Sequence, residues 1–172
     1  MKSRCDTKAK PALFVKKAEE LTLPGQLLKE LLRAVLDKGA SFRFRAPGFS
    51  MSPFIKDGDV VTVAPLRGAT PGLGDVVLFI HPRTGKLVIH RIVGKRADSY
   101  LIKGDNFPEG DDLVPKAKIL GHVAKVERDG KEIFLGLGLE RFLIAFLTRR
   151  RLLPLLLPVW RLARLLIRRS AL

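Results

Sequence analysis

Apolar residues along the chain follow two periods in turn. Leu27, Leu28, Leu31, Leu32, Val35 and Leu36 recur at helical intervals, with Lys29, Glu30, Arg33, Asp37 and Lys38 elsewhere on the surface. Pro24-Gly25 precede this stretch and Gly39 is the expected stop. The pattern predicts a helix packed on the domain. A membrane-surface helix is the alternative, which its balance of positive and negative charge disfavours. From Ser41 the period falls to two: Ser41-Phe42-Arg43-Phe44-Arg45 alternates apolar and basic, as a half-buried strand does. Val60 to Ala64, Asp75 to Ile80, Lys86 to Lys95, Ser99 to Lys103 and Ile119 to Arg128 are further short runs rich in β-branched residues. Gly58, Pro71-Gly72, Pro82, Gly85 and Asp129-Gly130 punctuate them. Six or seven such strands predict a mainly β domain without internal repeats.

After Gly138 the helical period returns with a different partner set. Arg161, Arg164 and Arg168 fall at i, i+3 and i+7, while Leu162, Leu165 and Leu166 lie largely away from them, as in a basic amphipathic helix. Arg149, Arg150 and Arg151 separate two apolar runs like a band at headgroup level. The organisation expected is a polar segment and amphipathic helix over residues 1–40, a β domain over 41–135, and an Arg-rich membrane-associating tail over 136–172.

Charge sharpens the reading of that tail. Lys and Arg number 32 against 17 Asp and Glu, a formal +15, and the eight Arg of residues 141–172, with no acid among them, supply +8 of it. Arginine interleaved with Leu, Ile, Phe and Trp160 suits an anionic membrane surface. Nucleic acid is disfavoured, because no zinc-finger, RRM or helix-turn-helix pattern is present. No stretch reaches the ~18 apolar residues of a spanning helix. The longest charge-free run of the tail, Leu152 to Trp160, contains Pro154 and Pro158. The basic start, Lys2, Arg4, Lys8 and Lys10, lacks an apolar run of signal-peptide length. The expectation is a protein lying on a membrane, peripheral or monotopic, without an ordinary spanning helix. Cys5, the only cysteine, can form no internal disulfide.

Candidate chemistry centres on Gly48-Phe49-Ser50-Met51-Ser52-Pro53. Pro47-Gly48 permit a bend before Ser50, and Pro53 keeps the next residues out of a central strand. A serine there can present its hydroxyl outward, although serine in a loop is also a turn former. As a nucleophile it needs a base. His90 lies within the apolar strand Leu87 to Val93, where it reads either as that base or as a half-buried structural residue. His81, before Pro82, reads as a surface loop residue, and His122 fits either role. Gly104-Asp105-Asn106 and Asp111-Asp112 read as an acidic loop between strands. It is either a solvated turn or the source of a carboxylate that orients an imidazole. Paired carboxylates could also hold a metal, but no clustered His or Cys supports one.

The order of these segments resembles type I signal peptidases, over Gly48 to Val123. Gly48 to Pro53 looks like the nucleophile box of that family. Gly58-Asp59 and Gly74-Asp75-Val76-Val77 look like its next β boxes, and His90-Arg91-Ile92-Val93-Gly94 like its base box. Gly104-Asp105-Asn106 with Asp111-Asp112, then Ile119-Leu120-Gly121-His122-Val123, are similar to its last boxes. His at position 90, where common bacterial enzymes carry Lys, is characteristic of the endoplasmic-reticulum, archaeal and sporulation-type branch. The resemblance implies a signal-peptidase/LexA-like β fold. It also implies a Ser–His–Asp endopeptidase with Ser50 as nucleophile, His90 as base and Asp112 as the assisting acid. Asp111 is the rival acid, because the loop is one residue longer here, and Asp105 is expected to order the turn.

Gly48 stands where many members carry a Ser or Thr oxyanion donor, so the oxyanion is expected to rest on backbone N–H groups, notably that of Ser50. The substrate implied is a protein or peptide with small residues before the cut, bound extended along a strand edge, with no cofactor. The family's usual N-terminal membrane anchor is not seen, which leaves open the face of a bacterial or archaeal plasma membrane at which the protein works. Three other readings remain. One is a LexA-like self-cleaving regulator, although such proteins use Lys and need a DNA-binding domain. The others are a non-catalytic membrane-surface scaffold and a cytoplasmic-face maturase of leader peptides.

Overall fold

The computed structural model describes residues 25–106 and 112–153. It opens with α1 (Gly25–Asp37), followed by β1 (Phe42–Arg45), β2 (Val60–Ala64), β3 (Val76–Ile80), β4 (Leu87–Arg96) and β5 (Ser99–Lys103). Then come β6 (Asp112–Pro115), a short 3₁₀ turn (Lys116–Lys118), β7 (Ile119–Arg128), β8 (Lys131–Glu132) and α2 (Arg141–Arg149). All strands pair antiparallel in one sheet of order β1-β2-β7-β3-β4-β5-β6, with β8 against β7. A mainly β fold with an N-terminal amphipathic helix is what the helical recurrence of Leu27 to Leu36 and the period-two runs after it predict. The runs at β2, β5 and β7 match to the residue, and β6 and β8 are additional. Asp112 therefore opens a strand rather than lying in a loop.

Alternation along β3 explains why its sequence is apolar throughout. Val76 and Leu78 face one core with Leu32, Leu36, Met51, Val61 and Val63, while Val77 and Phe79 face a second with Ile92, Tyr100 and Ile102. Both faces of the central strand are thus covered. Of the leucine stripe on α1, Leu32 and Leu36 are buried, but Leu27 and Leu31 remain 49% and 43% exposed, because the sheet covers only part of the stripe. Gly121 of β7 lies against Val63 and Ala64 of β2. A Cβ there would lie 2.5 Å from the Ala64 carbonyl oxygen, so the strands can approach only over glycine.

α2 packs on β4. It buries Ile144, Ala145 and Thr148 and turns Phe142, Leu143 and Phe146 outward at 46%, 60% and 51% exposure. Among the described residues no helix is long and apolar enough to cross a membrane. Asp111, and the tail positions Trp160, Arg161, Arg164 and Arg168, lie outside the described residues.

Candidate functional site

Ser50 sits in the connection between β1 and β2, on a loop fastened at several points. Gly48 adopts φ of 89°, and its N–H donates to Asp57 Oδ1 at 2.7 Å. Just beyond Ser50, the Ile55 N–H donates to the Met51 carbonyl at 3.0 Å and Met51 plugs into the core, 4% exposed. Lower in the loop, Arg128 Nε and Nη2 clamp both oxygens of Asp59, and Nη2 also reaches the Phe54 carbonyl. From the far side of the sheet, the Asn106 backbone N–H donates to the Ser50 carbonyl at 2.8 Å and its side-chain amide to the Phe49 carbonyl at 3.4 Å. The nucleophile candidate is thereby held in a rigid bend with its side chain half-buried.

His90 and Arg91 are consecutive on β4 and so point to opposite faces. His90 lines a cleft with Ser50, and Arg91 runs into the interior, fully buried. There Arg91 Nε and Nη2 bind Asp105, at 2.9 Å to Oδ1 and 2.7 Å to Oδ2. Its Nη1 donates to the carbonyls of Gly74 and Gly136, each at 2.8 Å. Thr148 of α2 adds a hydrogen bond to Asp105 Oδ1 at 3.1 Å. A buried guanidinium survives only when its charge and donors are met, and here they are. Asp105 does more than order a turn. The Gly104-Asp105-Asn106 segment grips the residue next to His90 with one side chain and the carbonyl of Ser50 with the next backbone amide, which fixes the two candidates relative to one another.

The cleft between them measures about 520 Å³. Ser50, His81, His90 and Asp112 supply its chemistry, and Leu28, Leu32, Phe44, Leu87 and Ile89 are among its apolar walls. Burial lowers the His90 pKa from 6.5 to about 4. The charge of Asp112 partly counters this, and His81 adds slightly to the depression. His90 is therefore an unprotonated imidazole at neutral pH, the form a general base requires. Its ring tilts against Phe79, centroids 6.1 Å apart.

The sequence reading of His81 as a surface residue is corrected. Its side chain is only 13% exposed, stacks on Phe79 and lies 3.2 Å from Asp112 through Nε2. The alternation of β3 accounts for this, because residue 81 continues the face of Phe79. Asp112 takes a second contact from Arg83 Nη2 at 3.3 Å. His122 lies elsewhere, half-buried in a small hollow of about 50 Å³ with Asp75 and Arg141. Arg149, Arg150 and Arg151 are exposed at the end of α2. Among the described residues no group of three His, Cys, Asp or Glu is arranged to hold a metal ion.

Sequence reasoning named Arg91 and Asn106 only within family-like segments, without a role, and did not name Thr148. Only Arg91 left a signal, a lone charge inside the apolar run of β4. No curated protein matches the chain. The family model described as Peptidase S24-like matches residues 8–124, about two thirds of the chain, and the chain belongs to that family.

Proposed function

We propose that this S24-like peptidase is a serine endopeptidase of the signal-peptidase type, cutting an extended peptide by a Ser–His–Asp mechanism. The observation that carries the reading is the convergence of Ser50, His90 and Asp112 on one cleft, from three separate parts of the chain. Ser50 Oγ attacks the scissile carbonyl carbon while His90 takes its proton, and the backbone N–H of Ser50 serves the oxyanion. Collapse of the tetrahedral adduct breaks the C–N bond, and His90 returns the proton to the leaving amine. Water activated by the same imidazole then releases the acyl group. Asp112 stabilises the imidazolium during both steps.

The walls of the cleft support an extended substrate. β1 is a sheet edge, and its Phe44 and Arg45 line the cleft together with Leu87, Val88 and Ile89 of β4. A peptide adding to that edge would present alternate side chains to the apolar floor. The outward Phe142, Leu143 and Phe146 of α2, beside Arg149, Arg150 and Arg151, support attachment to an anionic membrane surface.

Membership of the S24-like family favours one second reading, self-cleavage of the chain in the manner of LexA-type regulators. A mixture of peptides with varied residues around the cut, incubated with the full chain and read by mass spectrometry, tests both. The proposal expects intermolecular cuts after small residues that vanish in Ser50→Ala. Shortening of the chain itself, with added peptides untouched, would favour self-cleavage. No Ser50-dependent cutting, of peptides or of the chain, would leave the scaffold reading.

A further inference from the structure

The cleft holds a second imidazole whose hydrogen bonds define its tautomer. His81 Nδ1 accepts from the backbone N–H groups of Arg83 and Thr84, each at 3.2 Å. A ring nitrogen that accepts carries no proton, so the proton of His81 sits on Nε2. Nε2 lies 3.2 Å from Asp112 Oδ2, so the nitrogen that carries the proton is the one next to that carboxylate. The hairpin between β3 and β4 presets this arrangement. The His81 N–H donates to the Lys86 carbonyl at 2.8 Å and the Gly85 N–H to the His81 carbonyl at 2.9 Å, which curls residues 83 and 84 back over the ring. Phe79 fixes the ring plane by stacking at 29° with centroids 6.5 Å apart.

We infer that His81 is a positioning residue of this site, whose Nε2–H fixes the Asp112 carboxylate beside His90 in a Ser50–His90–Asp112–His81 constellation. The inference rests on the serine-peptidase reading. When His90 takes the Ser50 proton, a positive charge forms on a buried ring, and the charge of Asp112 is what compensates it in the cleft. Asp112 opens the edge strand β6 and is 20% exposed, so an untethered carboxylate would rotate toward water. Arg83, itself 82% exposed, reaches the other oxygen at 3.3 Å and is the looser tether. An imidazole with a single proton holds Asp112 without cancelling its charge, as a cation in the same place would.

The test uses the full-length chain, with a fluorophosphonate probe that phosphonylates an activated serine. Its saturating labelling rate and its half-saturating concentration are measured separately for wild type, His81→Phe, His81→Gln and His81→Asn. His81→Phe keeps the stacking surface but loses the donor. It lowers the saturating rate by about tenfold to a hundredfold, the range for partners one step removed from a reacting group, and leaves half-saturation unchanged. In His81→Gln the side-chain amide places an N–H near the Nε2 position and recovers most of the rate. Asn is one methylene shorter and stays slow. Independently of activity, nitrogen NMR shows His81 protonated at Nε2 alone. Wild-type labelling in His81→Phe, equal slowing in Gln and Phe, or a proton on Nδ1 would each overturn the inference. Labelling of wild type that persists in Ser50→Ala would instead remove the peptidase reading, and the role of His81 with it.

Discussion

Replacing His90 by Gln should flatten the acid side of the stability profile. Folding buries His90 as a neutral imidazole, with its pKa lowered from 6.5 to about 4. The unfolded chain binds a proton as pH falls through 6.5, whereas the folded chain does not bind it until about 4. Between those values the unfolded state holds more protons, so stability falls with falling pH. Above 6.5 His90 adds no slope, and below about 4 the loss is complete. At about 1.4 kcal/mol per tenfold change in proton affinity, the loss is roughly 3 kcal/mol.

Equilibrium unfolding in urea at half-unit steps from pH 8 to pH 4, on wild type and His90→Gln, isolates this contribution. Titrating carboxylates are common to both proteins and cancel in the difference. Wild type should lose about 3 kcal/mol more than the variant between pH 7 and pH 4. The Cε1 proton of His90, followed by NMR, should titrate near 4 rather than 6.5. Parallel stability curves, or a His90 titration above 6, would refute the claim that burial keeps His90 unprotonated.

Other expectations follow from the same contacts. Asp105→Ala strands Arg91 in the interior and should cost about 3–5 kcal/mol in urea unfolding, whereas Thr148→Val removes one hydrogen bond and should cost about 1 kcal/mol. Leu32→Ala, at a residue 1% exposed, should cost about 2–5 kcal/mol by the same assay. Combined Phe142→Ser, Leu143→Ser and Phe146→Ser substitution should weaken sedimentation with anionic phospholipid vesicles at least tenfold and leave the melting temperature nearly unchanged. Unchanged partition would remove α2 from the membrane contact.

Period-two alternation made the strands legible, because antiparallel pairing with a half-buried face writes itself into residue order. β6 escaped because Asp112-Leu113-Val114-Pro115 is only four residues long and does not alternate apolar with polar, and β8 is two residues long. Ser50 and His90 were legible as chemistry only through the order of five segments, since a serine between Gly and Pro is by itself a turn. The function of Arg91 was not readable, because its partners Gly74, Asp105 and Gly136, and the Thr148 that braces Asp105, come from four places that only the folded chain unites. His81 was misplaced for a similar reason. The proline that follows it spoke for a loop, while the strand before it carried its side chain onto the cleft face beside Phe79.

The central claim is that Ser50 is an activated nucleophile served by His90, and covalent labelling with residue mapping tests it most directly. After exposure of the full-length chain to a fluorophosphonate at neutral pH, mass spectrometry of the digested protein should find one phosphonyl group, on Ser50. His90→Ala should slow its appearance by more than a thousandfold, on the scale of removing a triad member. An unlabelled Ser50 in the folded wild-type protein, or labelling at the wild-type rate in His90→Ala, would contradict the account.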